Sequence, residues 1–439
     1  MKYKLMRRIV LVFFSLLNLQ LLQAQESRTL TLREAIDLSI TNSKQLKLNK
    51  EKILEATVAI KEANERRLPE AGVSTSYMYV PFNPVIDLKT GGPNTGGFGV
   101  NQIIYGSANV SVPLYSGGKL KYGIESAKYL EQAVKLDAQN DLESVILNVT
   151  SACINLYKSY SAIGLVKENL TTSQQRVKDF SNLEKNGLLA RNDLLKAELQ
   201  TSNIELALLD AESNYKLACV NMNLMTGLPE QTLIIPDKTG LNLPGNIKTL
   251  DEYETDAFQN RKDAAALSYR KKVASIGIKD AKANYYPSVA MTGGYIAADI
   301  PKFLTAYNVV TLGIGVKYDM GSLWKTKTKV EQAKIKVRQV KINEEMLNDN
   351  IRLQVNQAYE AYLLTIKKIQ VYEKAEIQAT ENYRITKNKF DNALASTTDL
   401  LDADLALLQS KMNVTNAKAD SFLAYNKILL VTGLLKNQY

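Results

Sequence analysis

The ten residues NGLLARNDLL (186–195) return, 206 positions later, as NALASTTDLL (392–401). Each copy interrupts a stretch of more than a hundred residues that otherwise reads as helix. The ten prolines lie at 69, 81, 84, 93, 113, 229, 236, 244, 287 and 301, so residues 114–228 and 302–439 lack the strongest helix breaker. In the first stretch Leu142, Ile146, Val149, Cys153, Leu156, Tyr160 and Ile163 alternate steps of four and three. After the interruption Leu194, Ala197, Thr201, Ile204, Leu208, Ala211, Tyr215, Ala218, Met222 and Met225 do the same. A sustained 3.5-residue period keeps one apolar seam against a partner helix, which predicts an antiparallel helical hairpin of coiled-coil type. The quoted stretch is then its tip. Asn186 and Gly187 suit the left-handed end of the outgoing helix, Asn192 suits the cap of the returning one, and Asp193 suits its first turn. In the copy, Asn392, Thr398 and Asp399 hold the matching places.

The repetition spans most of the chain. TLRE (31–34) matches TLDE (249–252), each reading as a Thr-x-x-Glu capping box, and TGL (226–228) matches TGL (432–434). The expected division is a leader over 1–24, a first repeat over 25–245 and a second over 246–439. Each repeat is expected to hold a helix, a β-hairpin (about 71–115 and about 288–319) and a helical hairpin (about 119–226 and about 323–432). The hairpins are read from period-two alternation. Gly106, Ala108, Val110, Val112 and Leu114 alternate with Ser107, Asn109, Ser111 and Pro113, and Val310, Leu312, Ile314 and Val316 alternate with Thr311, Gly313, Gly315 and Lys317. Their partner strands are expected around 73–80 and 289–295.

Lys2, Lys4, Arg7 and Arg8 precede an apolar run from Ile9 to Leu22 that ends in LQAQ, the pattern of a secretory leader cut near Ala24. Its removal takes four cations from a formal net charge of +10, a modest surplus that does not single out nucleic acid as a partner. Beyond the leader no apolar run is long enough to cross a membrane as a helix, so any membrane entry is by strands. The chain has no His, which excludes a Ser-His-Asp triad, a His-based zinc site and a His general base. Neither GGPNTGGFG (91–99) nor SGGKL (116–120) has phosphate-loop spacing. No catalytic residue, metal site or cofactor is expected. Four strands cannot close a barrel, and hydrocarbon does not tolerate open sheet edges, so several copies are expected to complete one barrel together. Tyr115, Tyr122, Tyr285, Tyr286, Tyr318 and Trp324 gather where strand meets helix, as an interfacial belt requires.

The duplicated strand hairpin and helical hairpin, the DLL tips and the TGL after each returning helix resemble the TolC-like outer membrane efflux family over roughly residues 28–436. The resemblance implies a mainly helical fold with a membrane β-barrel, built as a homotrimer of twelve strands continued by a twelve-helix tunnel. It implies an outer membrane channel of a tripartite efflux or type I secretion system, extending into the periplasm. Its partners would be a periplasmic adaptor and, through it, an inner-membrane pump of RND or ABC type. An exported coiled-coil scaffold or adaptor without a pore is the alternative. By the same resemblance the adaptor docks at the tips, on Gly187, Leu188, Leu189, Asp193 and Leu194 in the first and Ala393, Leu394, Asp399 and Leu400 in the second. For Leu194 and Leu400 the competing role is simply to start the seam. Family members often narrow the entrance with acidic residues before the second tip, whereas this chain carries Arg384, Lys387 and Lys389 there, which implies a weaker or reversed charge filter. Cys153 and Cys219 fall at nearly one level of the hairpin, as a disulfide or as two buried thiols.

Overall fold

The structure, a computed structural model, describes residues 27–82, 100–237, 247–301 and 304–439. The leader and the Gly-rich stretch 91–99 lie outside these. The elements run in the order β1 (Ser27–Leu30), α1 (Leu32–Asn42), α2 (Lys44–Glu65), β2 (Glu70–Tyr79), β3 (Gln102–Ser116), α3 (Lys119–Lys185) and α4 (Arg191–Thr226). They continue with β4 (Leu233–Pro236), α5 (Leu250–Asn260), α6 (Lys262–Ala283), β5 (Ser288–Ile300), β6 (Leu304–Lys317), α7 (Ser322–Asp391) and α8 (Thr397–Val431). Two short helices, a strand hairpin and a long helical hairpin thus follow one another twice. The compact units are not the two sequence halves: one comprises residues up to Asn49 with Ala138–Lys262 and Leu347–Tyr439, the other Lys50–Asp137 and Asp263–Met346, so each draws on both halves.

The first unit is built on the predicted seam. Ile146, Val149 and Leu156 of α3 and Tyr215, Cys219 and Met222 of α4 form one buried cluster with Ile36, Ile234 and Leu435, while Cys153, Tyr160 and Ala218 pack partly buried against it. Each fully buried Ile, Leu or Met contributes about 1.5–3 kcal/mol of transfer free energy, far more than the helix propensity of the same residue. β1 and β4, unmarked by any sequence pattern of their own, pair in parallel from Ser27 opposite Leu233 to Leu30 opposite Pro236. The Tyr215 hydroxyl donates to the Ile234 carbonyl at 2.9 Å, tying α4 to β4.

The TGL motifs are helix stops. The Thr226 and Thr432 hydroxyls donate back to the Met222 and Ile428 carbonyls, Gly227 and Gly433 take φ of 77° and 70°, and the Leu228 and Leu434 N–H groups close onto the Asn223 and Leu429 carbonyls. This is the Schellman pattern, in which only glycine enters the left-handed region without strain. Of the two expected capping boxes, the one at Thr249 is complete. At Thr31 only half of it forms, because the Glu34 carboxylate pairs with Arg28 instead of the cap N–H.

The second unit carries one antiparallel sheet in the order β2-β3-β5-β6. The two sequence hairpins are joined by β3 and β5, from Ile104 opposite Asp299 to Ser116 opposite Ser288, with a bulge at Pro113–Tyr115. Across this register Val110, Gly293 and Leu312 share one row and Val112, Met291 and Ile314 the next, so one face is apolar. Rows such as Ser111, Thr292 and Gly313 make the other face small and polar. Val310, Leu312, Ile314 and Val316 of β6 and Val73 of β2 are largely exposed. Among the described residues β2 and β6 each pair on one side only, leaving two open edges.

Candidate functional site

The hairpin tips belong to the first unit. At the first, Gly187 has φ 72°, its N–H donates to the Glu184 carbonyl and that of Leu188 to the Leu183 carbonyl. At the second, Ala393 has φ 58°, with the equivalent bonds from Ala393 to Phe390 and from Leu394 to Lys389. Asn186 and Asn392 do not take the left-handed turn; their side chains donate back to the Asn182 and Asn388 carbonyls, both at 2.7 Å. An alanine in the left-handed region is strained by about 1–2 kcal/mol. Ala393→Gly is therefore expected to raise unfolding stability by about 1 kcal/mol, read as a shift in the denaturation midpoint. An unchanged or lowered midpoint would contradict the strain.

The caps differ from expectation. Helix α4 begins at Arg191 behind Ala190, which makes no side-chain cap, so Asn192 already lies inside the first turn and cannot serve. Asp193 does sit in that turn, where Lys196 pairs with it at 3.3 Å. In the second tip Thr398 is likewise inside the helix and Ser396 is the cap. The Ser396 N–H and hydroxyl donate to the Asp399 carboxylate at 2.9 and 2.7 Å, and the Asp399 N–H donates to Ser396 Oγ at 3.2 Å. Those donors hold the Asp399 carboxyl below its ordinary range, so the cap stands at neutral pH and weakens only as pH falls through that lowered value.

The nine tip residues separate by burial. Leu194 and Leu400 lie in a core cluster with Phe180 and Ala197, with Leu189 partly buried beside them, so Leu194 and Leu400 start the seam and offer no surface to a partner. Asp193 is half-buried, whereas Gly187, Leu188, Ala393, Leu394 and Asp399 are exposed. Leu188 is 74% and Leu394 76% exposed. A leucine directly after the left-handed residue of a Schellman turn ordinarily folds back onto the last turn, and here neither does. The tips are linked by Lys196, whose ammonium also reaches Thr398 Oγ1 at 3.3 Å, and by the stacked rings of Phe180 and Phe390, 5.2 Å apart.

Of the three cations before the second tip, Arg384 is gripped by both oxygens of Glu381 at 2.7 and 2.8 Å and holds that carboxyl below its ordinary range. Lys387 pairs with Asp391 at 3.0 Å. Of the three, Lys389 alone makes no ion pair among the described residues.

A buried polar cluster behind the tips was not anticipated. Arg176 of α3 donates to Asp404 of α8 at 2.9 Å, with the side chains 7% and 5% exposed. Asn169 donates to the other Asp404 oxygen at 3.2 Å, and Tyr383 of α7 accepts from Arg176 at 3.5 Å. The buried positions there, Val166, Ser173, Arg176 and Phe180, run one residue out of step with the seam that ends at Ile163, so the alternation did not itself point to Arg176. Cys153 and Cys219 are unbonded; burial pushes the Cys153 thiol up to about 12, and Cys219 Sγ accepts from the Ile234 N–H at 3.5 Å.

Among the described residues no cluster of side chains fits a metal. The arrangement instead offers a sheet with two open edges and two tips with displayed leucines. The family model described as outer membrane efflux protein matches residues 255–434. The outer membrane efflux protein BepC of Brucella suis biovar 1 is 21% identical over 344 residues, covering 76% of this chain and 72% of BepC. Outer membrane protein TolC of Vibrio cholerae serotype O1 is 20% identical over 302 residues, covering 67% and 69%. Among solved structures, the Vibrio cholerae outer membrane protein VceC aligns with a TM-score of 0.73 at 15% identity, covering 92% of this chain and 96% of VceC. The Campylobacter jejuni CmeC outer membrane channel aligns at 0.75 and 16%, covering 92% and 86%. The family match over residues 255–434, the relatives and the fold agree with the duplicated hairpins and open sheet, and they make the chain similar to the TolC-like outer membrane efflux proteins, whose solved structures are channels.

Proposed function

We propose that three copies of this chain close one outer membrane barrel and helical tunnel, and that the tips receive a periplasmic adaptor coupling the tunnel to an inner-membrane pump of RND or ABC type. In a tripartite efflux or type I secretion system the chain is then the exit duct. The observation that carries this reading is the four-stranded sheet, apolar on one face, whose outer strands β2 and β6 each keep one edge unpaired among the described residues. In hydrocarbon each unpaired backbone group costs several kcal/mol, so the edges must meet those of further copies. Three copies close twelve strands, within the range of membrane barrels. The helices make the same demand. Leu195, Leu199, Leu206, Leu209, Leu217 and Leu224 of α4 are exposed, as are Ile335, Ile342, Met346, Leu353, Leu364 and Val371 of α7. Apolar rows at this spacing are seams awaiting partner helices.

The purified protein is expected to run in detergent at three times its chain mass and to give discrete conductance steps in a planar bilayer. A monomer without conductance would overturn the proposal. For the tips, Leu188→Asp with Leu394→Asp is expected to reduce export of a pumped compound from cells at least about tenfold while leaving conductance and trimer intact, because desolvated leucine anchors carry much of an interface's affinity. Undiminished export would remove the leucines from the docking surface.

A further inference from the structure

The positive charge of this chain is unevenly placed. The sheet-bearing unit, Lys50–Asp137 with Asp263–Met346, holds 24 of the 55 Lys and Arg against 16 of the 45 Asp and Glu, a surplus of eight. The other unit holds the remaining 31 against 29, even with the leader's four cations included. The surplus is densest just past the sheet. Ser116, Ser288 and Lys317 share one level at the end of β3, β5 and β6. Helix α7 starts at Ser322 and carries Lys325, Lys327 and Lys329, all exposed, within about 11 Å of axis. Leu323 and Trp324, exposed on the same turn, continue the apolar and aromatic character of the strand face.

None of these lysines makes an ion pair with a neighbouring carboxylate among the described residues. Asp319 accepts from the Gly321 N–H at 2.9 Å, and Glu331 is engaged by Lys334 and Arg338. Among the described residues, Lys317, Lys325, Lys327 and Lys329 have no carboxylate partner. The equivalent start of α3 differs, since Lys119 is spent on the Asn284 side chain at 2.8 Å.

We propose that Lys325, Lys327 and Lys329, with Lys317 and Trp324, form a basic collar that binds the anionic phospholipid headgroups of the leaflet from which the helices emerge. The inference rests on the reading that the apolar face of the sheet lies in the membrane. The spacing fits: the headgroup layer extends about 5–8 Å beyond the hydrocarbon, within the reach of lysines in the first two turns. Aromatic and cationic side chains together are the usual furnishing of that layer, and anionic lipid attracts each nearby cation strongly enough to be read as enrichment. An exposed apolar pair, Leu323 and Trp324, between the cations favours a lipid surface over a water-filled lumen.

Trp324 is the only tryptophan of the chain and reports on its own surroundings. The full-length protein is reconstituted in phosphatidylcholine vesicles with a minor share of phosphatidylglycerol, with the acyl chains of one lipid or the other brominated near the headgroup, and Trp324 quenching is measured. Brominated phosphatidylglycerol is expected to quench as though enriched around Trp324 by roughly fivefold over its bulk share at low salt. The enrichment should fall toward unity at high salt and in the triple variant Lys325→Gln, Lys327→Gln, Lys329→Gln, which leaves helix propensity unchanged. Equal quenching by both lipids overturns the collar and leaves the membrane reading standing. Quenching by neither overturns both. Equal quenching together with altered anion permeability in the triple variant would place the lysines in the lumen, which also overturns the collar.

Discussion

Arg176→Met is expected to cost about 3–5 kcal/mol, seen as an early loss of helical signal on denaturation, because it leaves Asp404 buried without its counter-charge. The protein has made the opposite accommodation: Arg176, Asp404, Asn169 and Tyr383 are brought together from three helices where the seam would otherwise be apolar. Even so the satisfaction is incomplete, since Arg176 Nη1 is buried without an acceptor among the described residues. Such a pair does not by itself add stability over a hydrophobic replacement, because taking both ions from water costs as much as their attraction returns. The double variant Arg176→Met, Asp404→Leu is therefore expected to recover most of the loss. If the double variant is as unstable as the single one, the cost lies in packing and not in the orphaned charge.

Gly433→Ala is the second large effect, expected at about 2 kcal/mol or more. Left-handed backbone costs an alanine about 1–2 kcal/mol. At this site a Cβ would also lie 2.9 Å from the backbone C and O of Asn260 and 3.0 Å from the Arg261 N. Backbone atoms at a helix end cannot step aside as a flexible side chain does. Gly187 is the control: it has a similar φ of 72° with open space around it, so Gly187→Ala should cost only the conformational part. Ala393 already stands in that conformation at the second tip. Midpoint shifts of equal size at 187 and 433 would refute the close approach.

Much of the tip was legible in ten residues. Gly187 marked the left-handed turn, Asp193 and Asp399 marked the first turns, and the DLL leucines marked the restart of the seam. What misled was the cap. Asn192 and Thr398 are better capping types than Ala190, yet the helix boundary falls two residues earlier, because the Leu194 and Leu400 side chains must enter the core and set the phase of the whole turn. Ion pairing was also legible locally: Glu381 and Asp391 lie one helical turn from Arg384 and Lys387 and pair with them, while Lys389 has no such partner among the described residues.

The sequence by itself determined the helical seams, the alternation of the four sheet strands, and the places where the long hairpin helices stop, because period, proline exclusion and glycine conformation are properties of a few consecutive residues. Only the tertiary structure decided that β3 joins β5, that β1 pairs with β4, that Arg176 meets Asp404, and that Leu188 and Leu394 remain exposed where Leu194 and Leu400 do not. Those outcomes depend on which faces of distant segments meet, and residues separated by up to 228 positions carry no local record of their partner.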